Sequence, residues 1–143
     1  MAPRLRRFTI STDRIGPRRW CWVRIHPDEA HFAAAAKRLA PWHDEPGWWD
    51  GCLGCFQPTG WIEHDDGAIE YPRNGFAGTL RLIDGHVTSE IVAHELVHAA
   101  VQIYRMNVKR DVRLSRDCGQ REEELAYIYG ELYGSLMSYT DFP

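Results

Sequence analysis

Lysine is nearly missing from this chain: 2 Lys stand against 15 Arg in 143 residues. That skew points to a GC-rich genome, an actinobacterial or phage source, more than to a function. An excess of positive charge is missing too. The net charge of −3 supplies no global attraction to nucleic acid, which disfavours a DNA-binding protein with incidental histidines. No window approaches the ~20 apolar residues of a membrane span. Residues 1–7 are basic, but the Phe8-Thr9-Ile10-Ser11-Thr12-Asp13 that follows is no signal-peptide core. The expected location is therefore the cytoplasm, that of the host if the chain is phage-encoded. In such a reducing compartment Cys21, Cys52, Cys55 and Cys118 are expected to be free or metal-bound rather than disulfide-bonded.

What is present suits one globular domain. A hydrophobic fraction of 44% with 26% charged residues is ordinary. The length allows a single core burying roughly two-thirds of the unfolded surface. No repeat, low-complexity tract or second domain interrupts residues 1–143. Residues 1–60 read as strands, a helix and a Trp/Cys-containing loop. Residues 61–138 read as sheet followed by metal-binding helices.

Residues 7–12 alternate as a strand does. After Gly16-Pro17, residues 20–25 alternate again, with Cys21, Val23 and Ile25 on one face. Seven arginines fall within residues 4–24. They can be read as a nucleic-acid arm, but solvated strand edges are the favoured reading. Asp28 caps an alanine-rich helix over residues 29–39, which ends before Pro41. Residues 41–60 are the least readable, with Trp42, Trp48, Trp49 and a Cys52-Leu53-Gly54-Cys55 pair. That pair offers half of a second, structural zinc site. Its other half would have to come from Cys21, Cys118, His43 or His64, none of which forms a second paired motif, so free thiols are the favoured reading. His64-Asp65-Asp66-Gly67 is a hairpin turn. Residues 78–84 are the clearest strand, and together these strands read as a meander feeding into a helix from Thr88 or Ser89 to about Met106. Residues 107–119 read as a surface connection, and 122–138 as a last helix.

The long helix carries His94-Glu95-Leu96-Val97-His98. Histidines four apart on a helix lie on one face and can grip one ion, with the intervening glutamate about 100° round the axis. This is the His-Glu-x-x-His signature of two zinc ligands and a general base. From Ile91 to Val101 the only polar side chains are His94, Glu95 and His98. A helix apolar nearly all round is expected to be buried, and ionisable groups there are costly unless paired or metal-bound.

Catalytic zinc takes three protein ligands and keeps one position open. The third is sought in Glu122-Glu123-Glu124. Glu123 shares a helical stripe with Ala126, Gly130 and Gly134, small residues that would let the last helix approach the Ala99-Ala100 region. Glu122 falls with Leu125, Tyr129 and Leu136, and Glu124 with Ile128, Glu131 and Ser135. The stripe selects Glu123.

These motifs resemble those of the zincin metallopeptidases, in particular the gluzincin branch, whose third ligand is a glutamate on a later helix. Glu123-Glu124-Leu125-Ala126 matches the Glu-x-x-Ala that often follows there. The order of strand, HELVH helix and glutamate helix is similar to small bacterial and phage ImmA/IrrE-like and SprT-like proteins. The resemblance covers residues 78–138, and residues 1–60 match no family. The spacing from His98 to Glu123 is longer than in thermolysin-like enzymes, and Tyr127 stands where those place an aspartate. The resemblance implies an α+β fold of minimal zincin type, a small antiparallel or mixed sheet packed on an active-site helix and a C-terminal helix. It implies one Zn²⁺ on His94, His98 and Glu123, Glu95 as general base, and hydrolysis of an intracellular protein or peptide. Tyr127, Tyr129 and His86 are candidate transition-state or supporting donors. The strand 78–84 is expected to form the cleft edge along which an extended peptide pairs. A non-catalytic zinc-stabilised binding module is the alternative, against which an intact Glu95 argues. A SprT-like protease acting on DNA-bound protein is the other, with the Arg-rich start as its nucleic-acid arm.

Overall fold

In the computed structural model, which describes residues 4–43, 45–108 and 120–139, six strands and three helices form an α+β domain. They run β1 (Arg6–Thr12), β2 (Arg19–His26), α1 (Glu29–Leu39), β3 (Gly54–Pro58), β4 (Ile62–Glu63), β5 (Ile69–Glu70), β6 (Phe76–Ile83), α2 (Ser89–Val108) and α3 (Gln120–Met137). Four strands make a mixed sheet in the order β1-β2-β6-β3, while β4 and β5 form a separate hairpin. β1 pairs antiparallel with β2, β2 parallel with β6, and β6 antiparallel with β3.

The expected meander is therefore not the observed topology. β6 inserts between β2 and β3, and a parallel neighbour needs a long crossover, which the chain from α1 to β5 supplies. The last strand before α2 is thus interior, bonded on both sides. It cannot be the edge along which a peptide pairs.

Alternation sorts the sheet's two faces. Ile10, Val23, Ile25, Leu80 and Leu82 face α2 and α3, packing with Val92, Leu96, Ala99, Ile103, Ile128, Leu132 and Leu136. This is the main core. The α1 face is smaller and polar in its centre. Asp28 caps α1 by accepting from the His31 N–H at 2.7 Å, as the sequence leads one to expect. Phe32 and Ala36 are the buried residues of that helix.

A chain of hydrogen bonds crosses this second layer. Gln57 Nε2 donates to the Ala36 carbonyl at 2.9 Å, and Arg81 Nε donates to Gln57 Oε1 at 2.6 Å. Arg81 NH1 lies 3.3 Å from Nε2 of the buried His26, whose Nδ1 is 2.8 Å from His31 Nδ1. An arginine can only donate, so His26 Nε2 accepts and its Nδ1 carries the proton toward His31. Burial foremost, then the neighbouring Arg81 cation, brings the His26 pKa down to about 4.

Four arginines of β1, β2 and the turn between them have partners within the chain. Arg6 pairs with Asp84 at 3.0 Å, Arg18 donates to Ser11, Arg19 donates to Asn107 at 2.7 Å, and Arg14 stands near Glu131.

His26 is neutral in the fold above about pH 4, whereas in the unfolded chain it takes a proton below its ordinary 6.5. Stability should therefore fall as pH drops from about 6.5 to 4, because the unfolded state binds the extra proton. Denaturant unfolding of wild type and His26→Gln across that window tests this. The variant should be less stable at pH 7 and lose less on acidification; parallel curves would refute the assignment.

Candidate active site

The helix that carries the HELVH residues is capped by Thr88, whose hydroxyl accepts from the Ile91 N–H at 3.3 Å and whose carbonyl accepts from Val92 N–H at 3.0 Å. His94 and His98 rise one turn apart on the same face, their ring centroids 5.2 Å apart. Both rings are exposed, and the His94 side chain is 70% accessible. Val97 is 49% exposed as well. The expectation of a helix buried all round is thus corrected. Val92, Leu96, Ala99, Ala100 and Ile103 face the core, and the stripe of His94, Val97 and His98 does not. Apolar composition misleads here because alanine and valine at positions 93, 97 and 101 say little about exposure.

Glu95 is different, being only 8% exposed. Burial raises its pKa above the usual carboxylate value, opposed by the nearby His94 and His98 and by a hydrogen bond from the Phe56 backbone amide. Its Oε1 stands 3.9 Å from His94 Nε2. The motif therefore presents two open imidazoles beside a shielded carboxylate.

The shield is β3, an edge strand of the sheet. Thr59 N–H bonds the Ala77 carbonyl at 2.9 Å, which sets the antiparallel register: Cys55 and Gln57 turn their backbone groups to β6. Phe56, at the intervening position opposite Leu80, turns its N–H and carbonyl to the free edge. That N–H meets Glu95. Gly54 makes the approach close enough. A Cβ there would lie 2.9 Å from Ile91 Cγ2 and 3.3 Å from Glu95 Cγ, so any larger residue forces strand and helix apart. A cleft of about 450 Å³ opens alongside, lined by Phe56, Pro58, Glu95, His98, Gln102 and Arg105 among others. Gln102, two turns beyond Glu95, is buried with its Nε2 lacking a protein partner. Sequence reading passed it over, although the seven-residue spacing from Glu95 puts both on one helix face.

The remaining candidates fall elsewhere. α3 packs on α2 and the sheet through Ile128, Leu132 and Leu136. The small-residue stripe faces away: Ala126, Gly130 and Gly134 are exposed, and a Cβ on either glycine would meet nothing within 4 Å. The packing argument that singled out Glu123 is thereby overturned. Glu123 is exposed and Glu124 half-buried. Among the described residues no three His, Cys, Asp or Glu side chains converge as a metal site, although Glu95 lies near enough to raise the pKa of both Cys52 and Cys55. Cys118 lies outside the described residues. Burial pushes the Cys55 thiol up to about 12, and Cys52 is raised for the same first reason while donating to the Gly54 carbonyl, which fits free thiols. Tyr127 lies under the Arg14 guanidinium, 4.6 Å from its ring centroid. Tyr129 stacks with Tyr133 at 6.0 Å, and His86 is exposed in the turn before α2.

Comparison with family models, with curated proteins and with solved structures returned no match to this chain.

If the Gly54 approach sets the cleft, Gly54→Val should cost about 1–3 kcal/mol of stability through overpacking. It should also release the Glu95 carboxylate to solvent, lowering its pKa as read by carboxylate NMR titration. An unchanged Glu95 titration would contradict the role given to β3.

Proposed function

We propose that this protein is a zinc-dependent peptidase acting on a protein substrate, with His94 and His98 as zinc ligands and Glu95 as general base. The observation that carries the reading is the pairing of two exposed imidazoles with a buried, partly desolvated glutamate beside the free edge of β3. The donor set fits zinc in its two nitrogens. The third ligand is proposed to be a carboxylate of residues 122–124, with Glu123 the candidate from the motif resemblance. Zinc held there supplies Lewis acidity, making water more acidic and polarising a carbonyl oxygen.

The chain's own groups supply the rest. An extended peptide can add at the outer edge of β3 through the outward Phe56 carbonyl, the Phe56 N–H being held by Glu95 and Pro58 having none, taking the role first expected of β6. Pairing there runs the peptide past Glu95. The carboxylate takes a proton from the attacking water and returns it to the departing amine nitrogen. Its raised pKa suits this, since a base works best when its pKa is nearer the ambient pH. Gln102 lines the same cleft as Glu95 and His98 and has an N–H without a protein partner, which supports it as the proposed donor to the developing oxyanion over Tyr127, which is held by Arg14. Arg6, Arg14, Arg18 and Arg19 are held by partners within the chain, so those four lend no support to a nucleic-acid arm.

The test is zinc content and peptide hydrolysis measured on the same preparations. Wild type should bind one zinc and cleave an unfolded protein substrate. Glu95→Gln should keep the zinc and lose activity by on the order of a hundredfold or more, and Gln102→Met should keep the zinc with a lower kcat. One of Glu122→Gln, Glu123→Gln and Glu124→Gln should lose zinc as His98→Ala does. Zinc unaffected by all three would move the third ligand off α3; a wild type that binds no zinc would end the proposal.

A further inference from the structure

The sheet's other face holds a second cavity next to the same edge strand. It measures about 610 Å³ and is lined by Trp42, His43, Trp49, Gln57, Trp61 and Phe76, among others. That volume is within the range of sites that enclose a ligand. None of its described lining residues is Asp, Glu, Lys or Arg. Trp49 packs edge-on against Phe32 at 6.2 Å, and its indole Nε1 is buried without a hydrogen-bond partner. His43 lies flat on Trp48 at 4.1 Å. The walls therefore favour an uncharged aromatic group, which gains from edge and face contacts with indoles.

Cys55, Phe56 and Pro58 line both this cavity and the cleft beside Glu95. The two hollows are the two sides of one strand. A peptide added to that strand's free edge must alternate its side chains between them, at about 3.3 Å per residue. A peptide with its scissile bond at Glu95 then directs a neighbouring side chain to the tryptophan side.

We propose that this cavity is a specificity pocket that receives an aromatic side chain of the substrate, located within two residues of the bond cut. The proposal rests on the peptidase reading for its substrate, but its binding step can be measured apart from hydrolysis. Phe and Ala are to be placed in turn at each of the two positions on either side of the scissile bond of one test peptide. Binding is followed by tryptophan fluorescence on zinc-loaded Glu95→Gln, and cleavage on the wild type.

At one position Phe should bind about tenfold more tightly than Ala, with a matching gain in kcat/KM. Trp42→Ala/Trp61→Ala removes two exposed indoles, so the fold should persist, and the preference should shrink to within about twofold. Equal binding of all Phe and Ala peptides would overturn the pocket, even if every peptide is cleaved. So would an aromatic preference that the double variant leaves intact. Aromatic-selective binding without cleavage by the wild type would uphold the pocket and reject the peptidase reading.

Discussion

The structure depends on how closely β3 lies against α2. At Gly54 there is no room for a Cβ between the strand and Ile91. That proximity buries Glu95 and brings the Phe56 amide to its carboxylate. Without it Glu95 would be an exposed helical glutamate with an ordinary pKa, a surface residue like the two histidines beside it. The sheet order follows the same requirement. With β6 in the interior, flanked by β2 and β3, α2 is delivered across the sheet and the outermost position falls to β3.

Much of this arrangement is readable from the residues. The Asp28 cap, the alanine-rich α1, the alternation of β2 and the long α2 all follow from local preference and periodicity. The strand that matters most does not. β3 sits among glycines and tryptophans with only five residues, and its partner β6 lies more than twenty positions downstream. Nothing local distinguishes an edge strand from a loop there. The same limit hides the topology, since a strand inserted between earlier ones is a tertiary event that periodicity cannot register.

The candidate site is legible in part for a related reason. His94, Glu95 and His98 are fixed by helical geometry, which sequence spacing reports faithfully. The choice among Glu122, Glu123 and Glu124 required knowing which face of α3 meets α2. Small residues in the sequence suggest close approach, whereas in α3 they mark the solvent side, with Ile128, Leu132 and Leu136 making the contact. Large apolar residues at the same spacing were the better guide, because burial of their area drives helix docking. Arg14 over Tyr127, and Thr12 bonded to Glu131, then occupy the neighbouring surface of α3 with β1 contacts.

X-ray absorption at the zinc edge, on protein loaded with one equivalent of the metal, probes the central claim most directly. The account predicts a shell of nitrogen and oxygen donors at about 2.0–2.2 Å, with the multiple scattering of two imidazoles and no sulfur. Sulfur scatterers at about 2.3 Å would put the metal on the cysteines instead. A spectrum of fully hydrated zinc would contradict the account altogether.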